Sequence, residues 1–231
     1  MKKGFTLAEV LITLGVIGVV AAITLPILTK NYQEKVFVNR LKQTYSMLSQ
    51  AHLLAITENG DPKYWDLGGN DSSASCLKFA NYYKPHLKIL KDCGTNNNGG
   101  CFYSKGYKAL FNNTLKPDQD PTNKLANRAR IMLNNGASVA FWTPGSCDNN
   151  NICGTMAVDL NGYQPPNKAG VDFFSFRVES NTVLPGSPSS KFPCKYRDTN
   201  NTNGILCTKW VIVNGNMDYL RRDISGELEG Y

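Results

Sequence analysis

Seven cysteines are the residues best placed for covalent chemistry, and their setting decides which chemistry. Cys76, Cys93, Cys101, Cys147, Cys153, Cys194 and Cys207 all fall in the last two thirds of the chain, in stretches rich in Asn, Gly and Pro. There is no CxxC pair, and the two histidines, His52 and His86, are too few to complete a zinc set. Neither histidine stands in a recognisable partner motif for a cysteine nucleophile. What remains is pairing, because cysteines that close short polar loops suit an oxidising compartment. Local pairing gives Cys93–Cys101, Cys147–Cys153 and Cys194–Cys207 and leaves Cys76 over; Cys76–Cys93 and Cys76–Cys101 stand as alternatives. Pairing of this kind requires the chain to leave the cytoplasm, so an export signal is expected at the amino terminus.

A carboxylate sits there in an unusual place. From Gly4 to Thr29 the only charge is Glu9, and the 19 residues from Val10 to Leu28 carry none. Such a run is long enough to cross a hydrocarbon core roughly 30 Å thick. Lys2 and Lys3 precede it and hold the start on the cytoplasmic side. An acid at mid-membrane costs roughly 2.5–3.5 kcal/mol, so a plain anchor leaves Glu9 without a purpose. An ordinary secretory signal is cut after its apolar stretch; Val20-Ala21-Ala22 offers small residues, but the apolar run continues to Leu28.

The order Met1-Lys2-Lys3-Gly4-Phe5-Thr6-Leu7-Ala8-Glu9-Val10-Leu11-Ile12 resembles the class III leader of the type IV pilin and type II secretion pseudopilin family. The resemblance implies that a prepilin peptidase cuts between Gly4 and Phe5 and then N-methylates Phe5. It implies further that Glu9 of an incoming subunit meets the Phe5 amine of a neighbour already docked. Two buried opposite charges cost much less together than apart, so assembly relieves an isolated carboxylate. Glycine suits position 4 because a protease must draw the backbone close. Pro26 falls where many pilins bend the helix. The implied partners are self and other pilins in a helical filament, the prepilin peptidase, an inner-membrane assembly platform and membrane lipid. The implied location is the inner membrane, single-pass with an extracytoplasmic head, and then a periplasmic or extracellular filament. No cofactor is implied.

The elements that must carry these residues follow from periodicity. Phe37, Leu41, Tyr45, Leu48, Ala51 or His52, and Ala55 recur at steps of three and four, with polar residues between. The membrane helix is therefore expected to continue as an amphipathic helix to about Thr57, where Glu58-Asn59-Gly60-Asp61-Pro62 breaks it. At 1.5 Å per residue it would be roughly 80 Å long. His52 lies on or beside the apolar stripe, and a satisfied, partly buried histidine is expected there. The predicted division is a leader at 1–4, a transmembrane segment at 5–29, the amphipathic half at 30–57 and a globular head at 58–231. Within the head, 62–135 reads as irregular apart from a helix around Cys76–Ala80. Strand alternation then marks Ala137–Trp142, Thr155–Leu160 and Val171–Val178. Three or four antiparallel strands packed on the helix make an α+β, pilin-like fold. Cys207–Val213 fits a short helix slightly better than an edge strand.

The arrangement Asp159-Leu160-Asn161-Gly162, then Pro166-Asn167, then Gly170-Val171-Asp172-Phe173, resembles the sheet of pseudopilins. Some type II pseudopilins hold calcium in a sheet loop, and Asp159, Asn161 and Asp172 are oxygen ligands of the right kind. A turn whose short side chains bond their own backbone accounts for the same residues, so no metal is assigned. The composition, 42% apolar and 19% charged, belongs to a chain that buries a core. The net charge of +7 contains no run of five basic residues, so a nucleic-acid partner is not predicted. HExxH, GxSxG and Walker-type motifs are missing, and no enzymatic activity is expected. Two functions remain. One is a prepilin that becomes a subunit of a type II secretion pseudopilus or type IV pilus-like filament. The other is a membrane-anchored extracytoplasmic binding protein that does not polymerise.

Overall fold

A computed structural model describes residues 4, 6–95, 100–123, 127–148 and 151–227. The chain divides into two compact units, the first ending at Val36 and the second beginning at Phe37. Helix α1, Leu7–Asn59, contributes to both. In the first unit most of its described apolar side chains, among them Leu11, Ile12, Val16, Ile17 and Ile23, are exposed. The helix is apolar and long enough to cross a membrane.

In the second unit α1 turns one stripe inward. Val38, Leu41, Leu48, Ala51 and Ala55 are buried at the three-and-four spacing, with Thr44 and His52 buried beside them. Removing each large apolar side chain from water stabilises the head by about 1.5–3 kcal/mol. Gly60 ends the helix with a positive φ of 75°. Helix α2, Ser73–Tyr83, starts where the Ser72 hydroxyl accepts the Ser75 N–H at 3.1 Å. Its Phe79 and Tyr83 form an aromatic cluster with Trp65 and Phe141.

The sheet has six strands: β1 Ile89–Gly94, β2 Ala129–Leu133, β3 Ser138–Trp142, β4 Ile152–Asp159, β5 Phe173–Glu179 and β6 Val183–Pro185. Each pairs antiparallel with the next, so the order is that of a simple meander. Two strands, β1 and β2, lie inside the stretch expected to be irregular, and the sheet is wider than the three or four strands expected. β1 is an edge strand that exposes Leu90, Lys91 and Asp92 and shifts register twice against β2, so it shows no alternation. β2 is buried at all five positions, and a short run buried on both faces has no period to detect.

That burial reveals a layer beyond the sheet. Ile131, Val139, Phe141, Met156, Phe174 and Phe176 face the helices, where Tyr45 stacks on Phe176 with ring centroids 5.6 Å apart. On the other face, Met132, Ala140 and Phe173 pack against Phe102, Tyr107, Leu115 and Ile205, which come from loops. Three disulfides, Cys93–Cys101, Cys147–Cys153 and Cys194–Cys207, close loops of this half, and Cys76 is free and buried. Helix α3, Thr208–Asn214, occupies the segment read as helix or edge strand and stops at Gly215, whose φ of 67° favours glycine.

Candidate processing and assembly site

The first turn of α1 carries the predicted site. Thr6 is the residue before the helix and Glu9 the third within it. The Thr6 N–H and hydroxyl both donate to Glu9 Oε2 at 2.8 Å, and the Glu9 N–H donates to the Thr6 hydroxyl at 3.3 Å. This reciprocal pair is a capping box, which satisfies two of the amide groups that a helix start leaves without partners. Sequence reasoning took Glu9 as a lone acid and passed over Thr6. The signal was present as Thr6-Leu7-Ala8-Glu9 ahead of an apolar run. Gly4 is exposed, and a side chain built there meets nothing within 4 Å. Among the described residues, packing thus does not demand the glycine. Phe5, with Lys2 and Lys3, lies outside the described residues.

Beyond the cap the helix manages its polar groups internally. Thr13, Thr24 and Thr29 donate their hydroxyls to the carbonyls of Val10, Val20 and Leu25 at 2.9 Å. Pro26 stands inside the helix without an N–H to give.

The second predicted cluster lies in the β4–β5 connection. Asp159 Oδ1 accepts the N–H groups of Asn161 and Gly162 at 2.9 and 2.8 Å, and its Oδ2 takes the Tyr107 hydroxyl. Asp172 accepts the N–H groups of Asn167 and Lys168 at 2.8 and 2.7 Å, one on each oxygen. Burial pushes both carboxyls well above the ordinary range, and the charge of Asp172 raises Asp159 further. Asn161 Oδ1 and Asn167 Oδ1 are buried without a hydrogen-bond partner. Calcium takes six to eight oxygens. Two carboxylates and two amides supply that only if every oxygen turns to the ion, and all of the carboxylate oxygens already accept N–H or O–H bonds. Among the described residues no group of three or more His, Cys, Asp or Glu side chains gathers. The two carboxylates brace the turn through its own N–H groups.

His52 meets Tyr83, with Nδ1 3.0 Å from the hydroxyl, while its Nε2 has no hydrogen-bond partner. It is buried as expected but only half satisfied. His86 Nε2 lies 3.4 Å from Glu58.

The prokaryotic N-terminal methylation motif matches residues 1–25. Together with the long helix and antiparallel sheet, it supports a type IV pilin-like prepilin, a structural protein of the pilin type. The chain belongs to the family of unknown function DUF6613, which matches residues 27–183, from within α1 to the start of β6. No curated protein and no solved structure matches it.

Proposed function

We propose that this prepilin is a subunit of a type II secretion pseudopilus or type IV pilus-like filament. In this proposal a prepilin peptidase removes the leader, residues 1–4, and methylates the amine of Phe5. Residues 5–29 hold the chain in the inner membrane with the head, residues 58–231, outside the cytoplasm, and residues 30–57 carry the helix into that head. The observation behind it is the exposed apolar stretch of α1 up to Thr29, whose only acid, Glu9, lies in the first turn beside the scissile bond. In the precursor Glu9 accepts from Thr6; after cleavage the new ammonium group competes for it, within a subunit or between neighbours. An uncompensated carboxylate in lipid is costly, so docking that pairs it with a neighbour's amine drives polymerisation.

The test joins processing to assembly. Coexpression with a prepilin peptidase should yield a chain that begins with N-methyl-Phe5, read by mass spectrometry. Cysteines introduced into α1 should then cross-link in membranes as a ladder of multimers. A mature terminus at residues 21–24 refutes the processing step. A correctly processed chain that stays monomeric supports the membrane-anchored binding protein instead.

A further inference from the structure

The outer face of the sheet is only partly covered by the loop layer. Between residues 117–123, with Asn127 and Arg128, and residues 185–206 lies an open cleft of about 820 Å³, the size of a small-molecule site. Its floor is a row across three strands, because Trp142 on β3 pairs with Thr155 on β4, which pairs with Arg177 on β5. At the strand spacing the row spans roughly 10 Å, about the length of a disaccharide. Phe192 and Leu206 form an apolar wall on the loop side.

The polar groups around the row define the ligand. The Trp142 indole N–H donates to Asp71 at 3.1 Å, and the Arg128 guanidinium lies over the Trp142 ring at 5.9 Å. Arg128 is further held by the carbonyls of Asn127 and Asp118, at 3.1 and 2.9 Å. Arg177 pairs with Glu179 at 2.9 Å and Asp118 with Lys116 at 3.0 Å. The charges of the cleft are therefore largely answered from within the protein. A polyanion entering it would face Asp71, Asp118 and Asp148, and a polycation would face Arg128 and Arg177. A wholly apolar ligand would strip water from all of them without return. Hydroxyl groups both donate and accept, so they can satisfy carboxylates and guanidinium groups together. A sugar ring also presents C–H faces to aromatic and aliphatic walls.

We infer that this cleft binds a neutral oligosaccharide, with the Trp142 ring and the Arg128 guanidinium over it in its floor, Phe192 and Leu206 as its apolar wall, and Arg177 and Asp71 as hydrogen-bonding anchors. This goes beyond filament assembly and does not depend on it. The experiment uses the full chain in nanodiscs, since glycoside detergents would compete. Binding is measured on an array of neutral gluco-, galacto-, manno- and N-acetylglucosamine oligosaccharides, with heparin and polylysine beside them. At least one neutral glycan should be retained, and its affinity should fall tenfold or more in Trp142→Leu and in Arg177→Ala. Arg177 is exposed, so its removal tests the site without disturbing the core, and near-UV circular dichroism checks that both variants keep their fold. Retention of heparin or polylysine alone overturns the inference. So does failure of every neutral glycan, or neutral binding that both folded variants leave unchanged.

Discussion

His52 makes the head sensitive to acid by an amount that its surroundings set. Burial lowers its pKa from the usual 6.5 to about 4, against the opposing influence of Asp61 and of the Ser180 and Glu179 carbonyls, which lie outside hydrogen-bond geometry. The unfolded chain thus binds a proton between these values while the native ring does not, so stability rises with pH across that window and is lost on acidification. The difference of roughly 2.5 units, at 1.36 kcal/mol each, corresponds to about 3 kcal/mol between pH 7 and pH 4. Burial raises the Tyr83 hydroxyl well above its ordinary pKa, so it keeps its proton throughout. Wild-type stability alone does not expose the effect, because Asp159 and Asp172 act in the opposite sense. The measurable quantity is the difference in urea unfolding free energy between wild type and His52→Gln, which cannot titrate. That difference should shift against wild type by about 3 kcal/mol from pH 7 to pH 4. The ring itself is accessible to NMR titration, since the chain has only one other histidine and the variant assigns the signal. An imidazole titrating at or above 6.5, or parallel stability profiles, would refute the reasoning.

Four further outcomes are expected. Because the folded-state carboxyls of Asp159 and Asp172 are raised, wild-type stability should fall as pH climbs from the ordinary carboxylate range through neutrality; Asp159→Asn should flatten that limb of a urea-midpoint profile. Buried Arg130 donates to the carbonyls of Pro121, Thr95, Arg128 and Asn123, at 2.6–3.2 Å, so Arg130→Met should cost about 2–4 kcal/mol in denaturant unfolding. Glu9→Gln keeps the acceptor of the capping box but removes the charge, whereas Glu9→Leu removes both; filament yield should collapse equally in the two, and normal assembly of the Gln variant would show that the cap, not the charge, matters. Mass spectrometry of the non-reduced protein should find three disulfides and one thiol, Cys76, which alkylating reagents reach only after unfolding because it is buried and its pKa is raised.

Legibility followed the range of the interactions. The leader, the capping residues and the stripe from Leu41 to Ala55 are local patterns, written within a few turns of one helix. Strands β3, β4 and β5 alternate apolar with small or polar residues, and their bounds were readable to within three residues. The local cysteine pairs were open to the same treatment, since each closes a loop of thirteen residues or fewer. By contrast, Tyr107 meets Asp159 across 52 positions, and Leu110 takes the carbonyl of Asn203 from 93 positions away. No window along the chain contains such pairs. The row Trp142–Thr155–Arg177 likewise exists only once the register of three strands is fixed.

The stretches 62–135 and 190–206 have the composition of linkers yet contribute to a folded layer. A loop layer brings few apolar side chains to its sheet, so its backbone polar groups must be tied individually or left costly in the interior. The side chains that do this are those read as turn residues. Asn203, wholly buried, donates to the carbonyls of Lys195 and Asp198 at 2.9 and 2.7 Å and accepts the Lys195 N–H at 3.1 Å. Thr202 holds the Lys191 carbonyl at 2.6 Å, and Arg130 reaches from β2 to the Pro121 carbonyl in the loop layer. The disulfides act on the same problem from the unfolded side, each removing chain entropy worth roughly 2–4 kcal/mol. With the cysteines reduced, the layer should keep its hydrogen bonds but lose that constraint. The cleft lies at the edge of that layer, so its walls should loosen on reduction while the helix-facing core persists.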